Sequence, residues 1–158
     1  MPIDFDYRRF RVGRKDGAEF LTAQVTRVGE NFLETIGAPL LRGRTITLED
    51  RIMAAPVAVI SEPLAQQLFP ATEPIGERVT LTLEDALVLV RPARSLNEES
   101  REQEFTIVGV SADFATSQLT TERPQILLPL PDLLAPTVHL IARGAPGDEP
   151  QLKAALES

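Results

Sequence analysis

The sequence predicts an α+β fold, a mixed sheet or sheets carrying short helices. Three observations lead there. Several runs alternate apolar and polar residues with the strand period of two. Between them lie short stretches with apolar residues at helical spacing, bounded by Gly, Pro or Ser. The chain has 158 residues, 43% apolar and 25% charged, enough for one domain or two small subdomains sharing a core.

Taken in order, residues 1–18 are polar and are expected to be loosely ordered or paired at a sheet edge. YRRFRVGRK concentrates five basic residues between Arg8 and Lys15. They suit a solvated strand or loop better than a membrane-facing or anion-binding patch. EFLTAQVTRV reads as a strand with Leu21, Ala23 and Val25 on one face, broken by Gly29. ENFLETIG places Phe32, Leu33 and Ile36 at helical spacing, and Gly37 stands at the natural stop as a left-handed C-cap. Pro39 prevents continuation. LLRGR reads as a short extended piece, and TLEDRIMAAP as a loop or helical turn.

VAVIS is apolar on both faces, as in a central strand covered on each side. Ser61 sits where strand becomes helix. Its hydroxyl is suited to accept from a first-turn amide, with Pro63 also fitting that turn. Leu64, Ala65, Leu68 and Phe69 form the buried stripe of that helix. PATEPIG is a turn. RVTLTLE alternates, with Val79, Leu81 and Leu83 inward. Residues 84–104 read as a long hairpin excursion, polar after ALVLV. FTIVGV is a strand, and DFATSQLTTERP a loop. QILLPL is a strand that Pro129 assigns to an edge or an end. VHLIAR is a strand. DEPQLKAALES opens a helix capped by Asp148, with Leu152, Ala155 and Leu156 on one face. That helix lacks a C-terminal signal, so the chain is expected to be cut from a longer protein.

The bulk numbers narrow function. Aromatics make up 5% with no Trp, so the core is expected to be aliphatic. A net charge of −7 repels nucleic-acid phosphates. The absence of cysteine excludes disulfides, thiolate catalysis and Cys-ligated zinc. Apolar runs such as AAPVAVI fall well short of the roughly 18 residues of a membrane span. MPIDFDYRRF lacks the apolar segment of a signal peptide. The chain as given is therefore expected to be soluble.

Candidate chemistry is sparse. A Ser–His–acid triad needs His139, the single histidine. Ser61 stands at a strand-to-helix turn, but I-S-E-P lacks the glycines of a nucleophile elbow. The acidic pairs Glu49–Asp50, Glu84–Asp85 and Glu98–Glu99 read as solvated surface, because adjacent strand residues face opposite ways. A calcium loop of alternating acids is absent. NFLETIGAPLLRGRTI raises the question of a phosphate cradle. Its glycines, Gly37 and Gly43, are too far apart and follow a helix instead of opening one. Gly43 suits a bulge or close backbone approach. Arg42 and Arg44 alternate around it, so they are expected on one side, holding backbone carbonyls or carboxylates such as Glu49 and Asp50. The stretch reads as a structural joint. No catalytic residue, cofactor or metal is expected.

With these pieces in order, the sequence resembles the MacB-like periplasmic core domain of FtsX-type ABC transporter permeases. The resembling runs are AQVTRVGENFLETIGAPLLRGRTITLED, PVAVISEPLAQQLFPATEPIGERV, FTIVGVSADF and RPQILLPL. The family pattern falls on Phe32, Gly37, Gly43 and Arg44, Asp50, Val57–Ile60, Leu68–Pro70, the Pro74–Gly76 turn, and the strand around Gly109. It covers about Ala23 to Arg143. Three features depart from it. Asn31 stands where an aromatic is usual, Glu73 replaces the Asp before Pro74, and the 84–104 excursion is long.

The resemblance implies a mixed α+β fold with a porter-like part, residues 1–22 and 111–158, and a smaller inserted part, residues 23–110. It implies a non-enzymatic extracytoplasmic domain of a permease, set between transmembrane segments and transmitting motion driven by a cytoplasmic ATPase. Its partners would be a second copy or paired half, with an adaptor, peptide or lipoprotein also in view. The alternatives are a free-standing binding module for a peptide or small ligand, which needs a concave pocket, and a hydrolase using Ser61.

Overall fold

The computed structural model describes residues 8–17, 19–83, 102–114, 124–130, 144 and 146–156. The expectations for 84–101 and for the strand holding His139 lie outside the described residues. So do those for most of the 112–124 loop and for the side chains of Leu83, Leu152, Ala155 and Leu156.

Among the described residues, seven strands form one mixed sheet. They are β1 (Arg8–Arg14), β2 (Phe20–Val28), β3 (Leu40–Gly43), β4 (Val57–Ser61), β5 (Arg78–Leu83), β6 (Glu102–Ser111) and β7 (Gln125–Pro129). Short helices are α1 (Phe32–Ile36), α2 (Leu48–Ile52), α3 (Glu62–Leu68) and α4 (Glu149–Leu156). This is the expected α+β architecture.

The sheet order is β3-β6-β4-β7-β2-β1-β5, with a further pairing between β5 and β6. That last pairing closes six strands into a ring, and β3 lies beside β6 outside it. Closure removes sheet edges from all six. Two ladders are parallel, β2 with β7 and β4 with β6. The others are antiparallel. β1 is therefore an interior strand flanked by β2 and β5, not an edge. Its outward residues are charged because that face meets water, which made it look peripheral in the sequence.

Alternation decides what fills the ring. Val12, Ala23, Val25, Ala58, Ile60, Val79, Leu81, Phe105, Ile107, Ile126 and Leu128 point inward and form one cluster. The α3 stripe of Leu64, Ala65, Leu68 and Phe69 joins it. This core is aliphatic apart from two Phe, as composition indicated. A second cluster lies on the outer face. Val28, Val59 and Leu127 meet Leu33 of α1 and Ile46 there, with Phe32, Ile36, Val108 and Phe114 packed around them. Two-sided cover explains why VAVIS and QILLP carry almost no polar residues. β7 is buried along its whole length and paired on both sides. Pro129 thus marks its end and not an edge, since a ring lacking one amide donor tolerates it only at a terminus.

β5 and β6 pair antiparallel, with Thr82 opposite Glu102, so the chain between them leaves and re-enters through adjacent strands. Among the described residues no helix is long and apolar enough to cross a membrane.

Candidate functional site

The site assembles where α1 ends, β3 begins and α2 turns back across the sheet. Gly37 adopts φ 75°, and its N–H donates to the Glu34 carbonyl while Ala38 N–H donates to Leu33. This paired closure satisfies the last carbonyls of α1. Phe32 packs edge-on to Phe114, ring centroids 6.1 Å apart. Pro39 then directs the chain into β3, where its carbonyl accepts from Ala112 N–H at 2.9 Å.

Gly43 lies opposite Gly109 in the β3–β6 ladder. A Cβ on Gly43, at φ +71°, would collide with the Val108 carbonyl, and one on Gly109 would collide with the Arg44 carbonyl. Both positions need glycine because the two backbones meet there. Arg44 N–H donates to Val108 across the same crossing at 2.8 Å.

The ladder shifts register between Leu40 and Arg42. Past that shift, the left-handed Gly43 breaks the alternation that would put Arg42 and Arg44 on one side. The two arginines diverge. Arg44 grips Asp50 with both terminal nitrogens, at 2.6 and 3.2 Å. Arg42 reaches Glu73 instead, at 3.2 Å. Glu49, the other expected partner, stays exposed on α2.

Asp50 is the hub. Its carboxylate also accepts from Thr47 N–H at 2.9 Å, and its own N–H donates to Thr47 Oγ1 at 3.1 Å. That is a reciprocal capping box. The Arg44 guanidinium, seconded by Thr47, holds the Asp50 carboxyl below the usual carboxylate range despite its burial. Thr47-Leu-Glu-Asp50 carries the capping-box signature in the sequence, and the five-residue helix there is the helical turn that TLEDRIMAAP allowed. The next residue ties α2 to the far side. Arg51 Nε donates to the Leu130 carbonyl at 3.1 Å, and its Nη1 binds Glu30 at 2.5 Å. Arg27 Nη1 donates to the neighbouring Pro129 carbonyl at 3.1 Å. Sequence reasoning had not singled out Arg27, Glu30 or Arg51.

Ser61 occupies the N-cap position of α3, but its side chain makes no cap bond. Its Oγ accepts from the Gln125 N–H at 3.0 Å, corrected from the expected first-turn amide. The buried Gln125 amide at the β4–β7 junction takes this oxygen as its acceptor, which keeps a buried donor satisfied. Gln125 Nε2 donates in turn to the Phe114 carbonyl at 2.8 Å. At 1% exposure, Ser61 is a tie between strands. As a nucleophile it would need access that burial denies.

Pro74 is buried and Gly76 turns at φ +88°. Gly76 N–H donates to the Ile107 carbonyl and Ile107 N–H to Glu77, so the turn is stitched to β6. The structure thus brings Gly43, Arg44, Asp50 and Gly109 into one constellation. Phe32 and Gly37 lead into it, while Ser61, Pro74 and Gly76 stand at separate strand ends. The acidic pairs at 84–85 and 98–99, and His139, lie outside the described residues. Among the described residues, no three or more of His, Cys, Asp and Glu gather as a metal-binding group. Three arginines here are paired with carboxylates of the chain, Arg44 with Asp50, Arg51 with Glu30 and Arg42 with Glu73.

A family model described as the MacB-like periplasmic core domain matches residues 2–158. Among solved structures, the periplasmic region of MacB from Actinobacillus actinomycetemcomitans superposes with a TM-score of 0.61 at 17% identity, covering 95% of this chain and 60% of that one. The extracellular domain of the noncanonic ABC-type transporter YknZ from Gram-positive bacteria gives 0.53 at 15% identity, covering 78% and 50%. These likenesses concern the fold, and the chain spans only about half to three-fifths of each neighbour's length. No curated protein matches the chain by sequence at a significant level.

Proposed function

The chain belongs to the MacB-like periplasmic core domain family of ABC transporter permeases, and from that premise we propose that it is a non-catalytic extracytoplasmic domain that passes conformational change between permease halves. The family match over residues 2–158 carries this reading. The geometry supports it in two ways. A ring closed by backbone ladders resists shear, so a displacement at one strand end reaches the others instead of being absorbed. The arginine ties of α2 add polar braces from β3 to the end of β7.

In this reading residues 23–110 form the inserted part, and 1–22 with 111–158 the porter-like part. β1 and β7 hydrogen-bond directly to β2, β4 and β5, so the two parts move as one body. The partners are a second copy or paired half, and then a periplasmic adaptor, peptide or lipoprotein. The cytoplasmic ATPase acts only through the full-length permease.

The test begins with the open reading frame around this segment. Apolar spans of about 20 residues upstream and downstream are expected. A frame that encodes no such span overturns the permease reading for this chain. Coupling itself is tested in the full-length protein by placing flexible Gly–Ser linkers at both domain boundaries. Transport is expected to fall while ATP hydrolysis continues. Undiminished transport would refute transmission through this domain.

A further inference from the structure

We draw no further inference here: the strongest candidate, the exposed apolar surface patch of Leu48, Ile52 and Met53 along α2 and its C-terminal end, carries nothing because nothing in the structure shows what covers it.

Discussion

Gly43 and Gly109 stand opposite each other across β3 and β6, and each lacks the Cβ that would strike the other strand's backbone. β3 hangs on the ring through this crossing, and the arginine that follows it, Arg44, carries the tie to α2. Attachment of β3 therefore depends on two side chains being absent.

Substitution at either position is expected to be costly. Gly109→Ala overpacks a backbone contact and should cost about 1–3 kcal/mol. Gly43→Ala adds left-handed strain of about 1–2 kcal/mol to the same kind of clash. Gly29 has open space around it, and Gly29→Ala should stay within about 0.5 kcal/mol of wild type. Urea denaturation of the three variants ranks them. If Gly109→Ala were as mild as Gly29→Ala, the close approach would be wrong.

Two helix ends form a matched pair of tests. Gly37 closes α1 at φ 75°, and Ala54 follows α2 at φ 48°, the one non-glycine in that region among the described residues. Gly37→Val should destabilise by about 1–2 kcal/mol, and Ala54→Gly should stabilise by up to about 1 kcal/mol. Thermal unfolding midpoints moving in opposite directions support both. A lowered midpoint for Ala54→Gly would contradict the strain at Ala54.

Most of this scaffold was legible in the sequence because the ring interior mostly follows a period of two, interrupted in β6, where the core residues run Phe105, Ile107 and Val110. Val79 and Leu81, or Ala23 and Val25, announced their faces without any knowledge of partners. The two-sided burial of Val57–Ser61 was visible for the same reason. What stayed hidden depends on distant pairing. Nothing local in RRFRVGR shows that β1 is flanked on both sides, because its outward face meets water whether or not it is at an edge. The different partners of Arg42 and Arg44 follow from the left-handed Gly43 between them, which alternation cannot anticipate. Gly43 itself was readable as a close approach, but its counterpart Gly109 gains meaning only from the ladder. α2, five residues long, falls within the loop or helical turn read from TLEDRIMAAP, and burial of Asp50 with exposure of Ile52 reverses the apolar pattern that would have marked it as a helix outright.

Acid should loosen the Asp50 hub. Its folded pKa is depressed, chiefly by Arg44, so its contribution is fully present above the ordinary carboxylate value, about 4. It is lost as pH falls through the lower folded value. Glu30, held down first by its own backbone amide and then by Arg51, acts in the same direction. Asp50→Asn should therefore be less stable than wild type at pH 7, and the gap should narrow below about pH 4. Urea midpoints measured from pH 7 to pH 2.5 report it. A gap that stays constant across this range would mean that the Arg44–Asp50 pair contributes nothing through its charge.

Ser61 and Ser111 face each other at matching positions of β4 and β6, both about 1% exposed, yet substitution should separate them sharply. Ser61 Oγ satisfies the buried Gln125 amide, so Ser61→Ala strands a donor and should cost about 1–3 kcal/mol. Ser111 Oγ has no hydrogen-bond partner among the described residues. Ser111→Ala removes a buried hydroxyl that gains nothing there, and should be neutral or stabilising by up to about 1 kcal/mol. The same pair tests the role of Ser61. As a tie between strands, its loss appears in unfolding free energy and in faster hydrogen exchange at the Gln125 amide. As a nucleophile, its loss would abolish an ester-hydrolysis signal while leaving stability near wild type. Equal stability of Ser61→Ala and wild type would sink the tie.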